Sequence, residues 1–284
     1  MKKKIFINTV PHSGTHFLSS LLESIGYEHA IYKNTFYLGS PFYRRSQRAG
    51  INWRTANLLH ERIKIHERKV LPVSVSSPVL ITKSTYKQLF KVLYPGKFII
   101  GHVPYSSEAE KVHNSVLDHS ITIIRDPRDM ILSMLRHIKD RPQHHSHDYL
   151  FNSLKTDKDR FFAVADGFNN PEARLVGVKN MIESMLKWQQ DPNNLLIKFE
   201  DIVGPSGGGD ISLQKKAINK ILTFIDAKNL SNNFEEIAKD SFGKSSTFRK
   251  GQIYGWKEKL SKEENELFSR AYSTLLDQMG YQKL

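Results

Sequence analysis

The sequence predicts an α/β fold in which a central parallel sheet is flanked by helices. Short β-rich runs alternate with longer amphipathic stretches along the chain, as is typical of a parallel sheet covered on both faces. The first apolar run ends in a Pro/Ser/Gly loop that opens a helix, which indicates a P-loop-like phosphate-binding turn. Without an internal repeat or a convincing boundary, the chain is predicted to form one domain over residues 1–284.

Four runs are predicted strands because each is short, apolar and followed by turn or helix signals. They are Lys4 to Asn8, Phe98 to Gly101, Ile121 to Ile124 and Leu195 to Phe199. Helices are predicted where apolar residues recur at helical spacing. There are four such stretches: from the end of the first loop to Gly26, from Pro127 through Ile138, over 180–190, and from Leu213 to Ile225.

Three stretches do not follow this alternation. Residues near 34–75, rich in Arg, His and Tyr, and residues near 141–171 are predicted to be loop-rich inserts. Gly204 to Asp210 is predicted to be a flexible connector. The second insert carries His144, His145 and His147, but only Asp148 is a nearby acidic partner. We therefore expect a solvated or lid position for these histidines and no metal site.

Composition limits the setting and the partners. The 284 residues carry 42 Lys and Arg against 29 Asp and Glu, a net charge of +13, which suits nucleic acid, acidic lipid or a polyanionic small molecule. The chain has no cysteine, which excludes disulfides and thiolate sites. The opening MKKKIFINTV resembles neither a signal peptide nor a membrane span, so we expect a cytoplasmic protein with no membrane partner.

The first loop, Pro11 to His16, carries the strongest phosphate signal. It links a buried strand to a helix, so backbone N–H groups and the helix dipole converge on an anion, with the Ser13 and Thr15 hydroxyls as further donors. Gly14 permits close backbone approach. The loop lacks the first glycine and the lysine of the G-x-x-x-x-G-K-[ST] pattern, which weakens the case for a nucleotide-hydrolysing enzyme.

Two further segments suit phosphate. Arg125 ends a predicted strand and Ser133 follows in the next helix, so both reach the carboxyl edge of a parallel sheet, where open α/β folds bind ligands. The alternative for Arg125 is a salt bridge with Asp126 or Asp129. Near the end of the chain, Phe248-Arg-Lys-Gly251 precedes Gly-Trp-Lys. This segment is either a second phosphate site or a solvated basic loop.

In this order, the segments resemble the sulfotransferase family that uses 3′-phosphoadenosine 5′-phosphosulfate (PAPS). The loop PHSGTHF at 11–17 is similar to PKSGTTW, IIRDPRDMILSM contains the counterparts of the family's strand-end arginine and helix serine, and RKGQIYGWK at 249–257 is similar to RKGxxGDWK. Gly101-His-Val-Pro104 is similar to THLP. The resemblance implies the sulfotransferase fold and the product adenosine 3′,5′-bisphosphate (PAP).

The resemblance also implies the site residues. Backbone and hydroxyl groups of the loop would hold the 5′-phosphosulfate, and an arginine and lysine pair with the strand-end arginine and helix serine would hold the 3′-phosphate. The implied donor-binding residues are His12, Ser13, Gly14, Thr15, His16, Phe17, Arg125, Ser133, Phe242, Phe248, Arg249, Lys250 and Gly251. Phe242 and Phe17 would pack on adenine; plain core positions are the alternative.

Two histidines are the expected catalytic residues. The resemblance makes His102 the general base, and an unperturbed histidine pKa of about 6.5 lets the ring accept a proton near pH 7. The family's loop lysine is replaced by His12, and a second lysine by Ile100. Our hypothesis is that His12 acts as an imidazolium whose pKa is raised by the bound polyanion; the alternatives are a remote lysine such as Lys83 or a loop-lining role.

The leading prediction is a sulfotransferase that moves the sulfuryl group of PAPS to a hydroxyl or amine of a small molecule, as in secondary metabolism. A P-loop nucleotide or metabolite kinase is the alternative, but it needs a loop lysine and a magnesium-holding carboxylate. A nucleic-acid-binding protein leaves the His102 motif without purpose, so no nucleic-acid partner is expected. The inserts would form the acceptor pocket, and the resemblance allows a homodimer.

Overall fold

A computed structural model describes residues 1–30, 70–76, 78, 80–170, 173–227, 234–241 and 251–281. Its strands are, in chain order, β1 (Ile5–Asn8), β2 (Glu28–His29), β3 (Val70–Pro72), β4 (Leu80–Thr82), β5 (Lys97–Gly101), β6 (His119–Ile124), β7 (Gly167–Asn169), β8 (Arg174–Val176) and β9 (Asn194–Lys198). Five of them form a parallel sheet in the order β2-β5-β1-β6-β9. The strands β3 and β4, and β7 and β8, pair as antiparallel hairpins. The predicted α/β fold with a central parallel sheet is confirmed.

Helices connect the strands and cover the sheet. They are α1 (Thr15–Ser24), α2 (Lys83–Leu89), α3 (Ser107–Val116), α4 (Pro127–Lys139), α5 (Asp157–Asp166), α6 (Val178–Leu186), α7 (Phe199–Ile202), α8 (Ile211–Phe224), α9 (Phe234–Ser241), α10 (Trp256–Lys259), α11 (Lys262–Ala271) and α12 (Ser273–Met279). Short 3₁₀ helices occupy Phe90–Val92, Lys187–Gln190 and Pro205–Gly207, and a π-helical turn occupies Tyr149–Ser153.

Both faces of the sheet are buried. Successive residues of a strand point to opposite faces, so Phe6 packs into one core, with α4 and α6, while Ile5 and Ile7 pack into the other, with α1 and α8. This double coverage explains why the strands read as continuous apolar runs. None of the described helices combines the length and apolarity that crossing a membrane requires.

The region predicted as the second insert is more regular than the sequence indicated. Residues 141–170 contain the π-helical turn, α5 and β7, so the loop-rich description is wrong for much of this segment. The side chain of Thr156 accepts a hydrogen bond from the Asp159 N–H and caps α5, while Leu150 and Phe161 are buried in the core. Burial of these apolar side chains stabilises the segment.

The predicted flexible connector is also folded. Pro205–Gly207 forms a 3₁₀ turn, the Gly209 N–H donates to the Gly204 carbonyl over 2.8 Å, and Asp210 caps α8 by accepting from the Ser212 and Leu213 N–H groups. The glycines give a compact turn here because Gly204 and Gly208 take positive φ angles of 67° and 84°. Of the insert predicted near 34–75, residues up to 69 lie outside the described part of the chain.

Candidate active site

The predicted site residues gather at the carboxyl edge of the sheet because β1 lies between β5 and β6. Asn8 is level with Gly101, and Ile7 is level with Ile121. The residues that follow these strands are therefore neighbours at one edge, where open parallel sheets bind their ligands. Three of the segments singled out in the sequence begin there: the first loop, the His102 segment and the Arg125 segment.

The first loop is an anion-binding turn at the start of α1. Gly14 precedes α1 in a left-handed conformation, with φ of 115°, and a Cβ added there would overlap the ring of Phe199. His12 also has a positive φ, 69°. No side chain caps α1 and its first turn holds no acidic residue, so the positive end of the helix is available to an anion.

The hydroxyl groups of the loop are engaged with the protein. Ser13 is buried and its hydroxyl donates to the Val10 carbonyl over 2.7 Å. The Thr15 hydroxyl lies 2.7 Å from the Thr9 hydroxyl. In this structure Ser13 shapes the loop, while Thr15 connects it to the end of β1. Donation from either hydroxyl to a ligand stays a prediction.

His102 follows β5 directly and is anchored to the end of β1. Its Nδ1 lies 2.6 Å from the Thr9 carbonyl oxygen and 3.3 Å from the Thr9 hydroxyl. A carbonyl oxygen only accepts, so Nδ1 carries the proton and the neutral ring keeps its lone pair on Nε2. Burial lowers the pKa of His102 to about 4, more than the Thr9 hydrogen bond raises it, so the ring is neutral near pH 7.

His12 links the loop to the Arg125 segment. Its Nδ1 lies 3.3 Å from the Ser133 hydroxyl, its carbonyl accepts from Arg125 over 3.5 Å, and its ring meets the His137 ring edge to face at 5.0 Å. Burial first, and then nearby basic groups led by His137, lower the pKa of His12 to about 3. Without a ligand His12 is therefore neutral, and the proposed imidazolium requires the bound polyanion.

Arg125 retains unused hydrogen-bonding capacity. It donates to the Gln252 carbonyl over 2.8 Å, lies 3.7 Å from Asp129, and places its guanidinium 4.8 Å from the centre of the Phe199 ring. Its Nε is buried and has no hydrogen-bond partner among the described residues. A partly buried guanidinium whose Nε is an unsatisfied donor suits an anion. The alternative of a salt bridge for Arg125 is also present. Its partner is Asp129, since Asp126 pairs with Arg128 instead.

The third predicted segment reaches the site at its described end. Gly251 has φ of 54°, and Gln252 next to it holds Arg125. The Ile253 N–H donates to the Gly207 carbonyl over 3.0 Å, and the Trp256 N–H donates to Asp129 over 2.9 Å, which fixes the segment beside the start of α4. Phe242, Phe248, Arg249 and Lys250 lie outside the described residues.

The remaining candidate residues are Phe17, His16 and Lys83. Phe17 is buried at 2% exposure and meets the ring of Phe199 edge to face, which favours the core alternative over adenine packing. His16 is partly buried in the first turn of α1, and burial lowers its pKa. Lys83, the alternative cation, is paired with Glu108 at 2.5 Å. Among the described residues, no group of three His, Asp or Glu side chains is arranged to hold a metal.

Three contributors were not singled out in the sequence. Thr9 holds His102, Phe199 packs against both Gly14 and Arg125, and His137 faces His12. Thr9 and Phe199 could have been found, since each follows a strand at the carboxyl edge. The contact of His137 with His12 depends on which face of α4 points to the loop. The sequence suggests only that His137 shares a face with Ser133, four residues before it.

Comparison with known proteins agrees with this geometry. A family model described as "Sulfotransferase domain" matches residues 2–280. The chain belongs to the sulfotransferase family. The predicted PAPS-dependent sulfotransferase is therefore confirmed, and nothing in the comparisons favours a kinase. A search of curated proteins gave no match.

Solved structures share the fold at low sequence identity. Mouse sulfotransferase SULT7A1 complexed with PAP is similar over 98% of this chain and 84% of its own, with 15% identity and a TM-score of 0.57. A retinol dehydratase in complex with androsterone and inactive cofactor PAP is similar over 96% and 80%, with 15% identity and a TM-score of 0.52. Retinol dehydratase in a complex with retinol and PAP covers 99% and 82%, with 13% identity and a TM-score of 0.52.

Proposed function

We propose that this sulfotransferase transfers the sulfuryl group of PAPS to a hydroxyl or amine of a small-molecule acceptor, with His102 as the general base. The observation that carries the proposal is the placement of His102. The Thr9 carbonyl fixes its Nδ1–H, and Thr9 adjoins the loop that leads to the uncapped start of α1. One domain over residues 1–284 is part of the proposal and is supported by the family match to 2–280. Cytoplasmic location, secondary metabolism and a homodimer stay predictions.

The residues present fit the donor. Arg125 has a buried Nε without a partner among the described residues. Gly14 has no side chain, so the loop backbone stays open to close approach by a phosphate. We assign the backbone N–H groups at the start of α1 to the 5′-phosphosulfate, and Arg125, Ser133 and the Gly251 N–H to the 3′-phosphate. When bound, PAPS supplies an electrophilic sulfuryl group on a phosphate leaving group.

His102 accepts the acceptor's proton at Nε2. Its Nδ1–H is held by the Thr9 carbonyl, so the ring cannot turn over to present Nδ1 without breaking that hydrogen bond. A pKa of about 4 keeps the base form populated near pH 7, although a low pKa also makes His102 a weak Brønsted base. Proton transfer to His102 is therefore expected to accompany bond formation to sulfur.

The positive end of α1 would stabilise the charge that grows on the 5′-phosphate, while Arg125 would hold the 3′-phosphate. Backbone N–H groups that are already in place need little reorganisation during the reaction, which is the basis of electrostatic stabilisation. His12 lies between them, in contact with Ser133 and Arg125. Protonated His12 would add a cation where the family has a lysine.

The acceptor is proposed to be a small molecule. Androsterone and retinol are bound by the structural neighbours, which supports this class and leaves open whether oxygen or nitrogen is sulfated. We expect the insert near 34–75 to contribute to the acceptor pocket. Its residues up to 69 are not among those that the structure describes.

The proposal is tested by binding and turnover together. PAP should stabilise the protein against heat more than ATP with magnesium does, and PAPS with a panel of phenols, sterols and amines should give a product heavier by one SO3. His102→Asn should lower kcat by about 100-fold or more, since general-base catalysis supplies 10²–10⁴, with the PAP Kd within about threefold. Arg125→Ala should weaken PAP about 10- to 100-fold, because a hydrogen bond to a charged group contributes about 1.5–3 kcal/mol. Stabilisation by ATP alone, or full activity in His102→Asn, would contradict the proposal.

A further inference from the structure

Asn8, the last residue of β1, uses its amide to hold the chain beyond β5. The Val103 N–H donates to Asn8 Oδ1 over 2.8 Å, and Asn8 Nδ2 donates to the Val103 carbonyl over 3.1 Å. Both residues are buried, at 1% and 0% exposure. One side chain therefore satisfies both polar backbone groups of the residue next to His102.

The sheet does not supply this restraint by itself. Strand β5 ends at Gly101, whose carbonyl accepts from the Thr9 N–H over 3.1 Å, and beyond it His102 forms an isolated bridge with Ser74. The Val103 carbonyl accepts a second bond from the Trp188 indole over 3.0 Å, but the Val103 N–H is held by Asn8. Removing the Asn8 amide would leave a buried donor unsatisfied.

Both ends of His102 are thereby tied to the end of β1. The Asn8 side chain fixes the backbone on its carboxyl side, and the Thr9 carbonyl fixes its ring at Nδ1. Because Thr9 also meets Thr15 of the donor loop, consecutive residues of β1 and the following turn set the base relative to that loop.

We propose that Asn8 is a positioning residue for the sulfuryl transfer: its amide clamp on Val103 keeps His102 in register with Thr9, so that the Nε2 lone pair is presented to the acceptor. This inference rests on the proposed role of His102. It assigns to Asn8 no contact with the donor or the acceptor.

The first test is Asn8→Ala in the full-length protein. Loss of the clamp should lower kcat by about 10- to 100-fold, since misplacing a reacting group by about 1 Å can lower the rate about 100-fold. The PAP Kd should change by less than about threefold, because the donor contacts are untouched. Nitrogen-15 NMR should show His102 leaving the pure Nδ1–H form, with His102→Asn used to assign its signals.

Asn194→Ala is the matched control. Asn194 begins β9 at the opposite edge of the sheet, and its Oδ1 accepts from Ser120 over 3.0 Å and from Thr122 over 2.9 Å. This variant also loses two side-chain hydrogen bonds within the same sheet without touching the site, and urea unfolding of both variants compares their stability losses. Its kcat should stay within about twofold of the wild type.

Asn8→Asp provides a second variant if Asn8→Ala does not fold. A protonated carboxyl has one donor and one acceptor, like the amide, whereas a carboxylate cannot donate to the Val103 carbonyl. Burial should raise the pKa of the new carboxyl, and His102 is the titratable group beside it. The kcat of Asn8→Asp relative to the wild type should therefore rise as the pH falls, with the His102 NMR signals returning to the wild-type pattern.

The outcomes separate the two ideas. A kcat of Asn8→Ala within twofold of the wild type, a loss no larger than that of Asn194→Ala, or unchanged His102 nitrogen signals would overturn the positioning role. Full activity in His102→Asn would instead overturn the proposed base, and the NMR comparison would still decide whether Asn8 holds the His102 ring.

Discussion

His12 offers the sharpest test of how this site handles charge. Its pKa of about 3 in the ligand-free protein leaves about one ring in 10⁴ protonated at pH 7. Half protonation at that pH requires about 5 kcal/mol of favourable interaction, at 1.36 kcal/mol per pH unit. A unit charge at 4 Å contributes about 4 kcal/mol at an effective dielectric constant of 20, so a phosphate with nearly two negative charges supplies enough.

We therefore expect donor binding to take up a proton at His12. Calorimetric titration with PAP at pH 7, in buffers of different ionisation enthalpy, should give an uptake approaching one proton. The groups facing His12 are the Ser133 hydroxyl, the guanidinium groups of Arg125 and Arg141, and the rings of His102 and His137. Of these, the two histidines are the residue type that ordinarily titrates near neutral pH. His12→Asn should remove the larger part of the uptake, and a variant that keeps the full uptake would show that His102 or His137 takes the proton instead.

The rate should follow the same proton. In the wild type, activity should fall as the pH rises through the His12 pKa in the complex, by up to about tenfold per pH unit well above that pKa. His12→Lys should flatten this limb to a change of less than about threefold between pH 7 and 9, because a lysine pKa of about 10.4 keeps the charge. His147→Lys, next to Asp148, controls for the added charge. An identical alkaline limb in the wild type and His12→Lys would refute the reasoning.

Three further predictions concern His113, Gly14 and Arg128. Burial lowers the pKa of His113 to about 3, so acid weakens the fold below the unfolded pKa of about 6.5; His113→Gln should reduce the stability lost between pH 7 and 5 by about 2 kcal/mol, and equal acid sensitivity in urea unfolding would contradict this. Gly14→Ala should abolish measurable PAP binding, because φ of 115° and the Phe199 ring exclude a Cβ; wild-type affinity by calorimetry would show that the loop adapts. Arg128→Ala should lower the free energy of unfolding by about 3–5 kcal/mol, because the buried Asp126 carboxylate would lose its guanidinium partner and keep the N–H of residue 128; a loss below about 1 kcal/mol would mean that water reaches Asp126.

Four strands of the central sheet were predictable because they are apolar runs: β1, β5 and β6 are buried along nearly their whole length, and β9 has buried residues that alternate with half-buried ones. Three predicted runs match their strands to within one or two residues, and the fourth differs by one at each end. The helix Asp157–Asp166 was missed because its apolar residues form one continuous run, 161–165, after four charged residues, and so do not recur at helical spacing. Its signal was the pair Thr156 and Asp159, which form a capping arrangement at the required spacing.

The site was predictable as a set of segments but not as a set of contacts. A strand end followed by a loop marks Thr9, His102 and Arg125 in the sequence. Which of them touch depends on β1 lying between β5 and β6, and many sheet orders share the same pattern of strands and helices. The clamp from Asn8 to Val103 spans 95 positions, so no local spacing reveals it.

The replacement of a loop lysine by His12 has a physical consequence for the empty site. A lysine there would place a permanent charge in a buried loop beside Arg125 and Ser133, and both desolvation and like-charge repulsion would oppose folding. We expect His12 to be neutral in the ligand-free protein and to become a cation when the polyanion supplies the compensating charge. The same exchange makes donor affinity depend on pH, so His12→Lys should bind PAP with less pH dependence and should unfold at lower denaturant concentration in its absence. The net charge of +13 counts histidine as neutral, so it includes Arg125 beside this loop, and a protonated His12 would add one further charge in the complex.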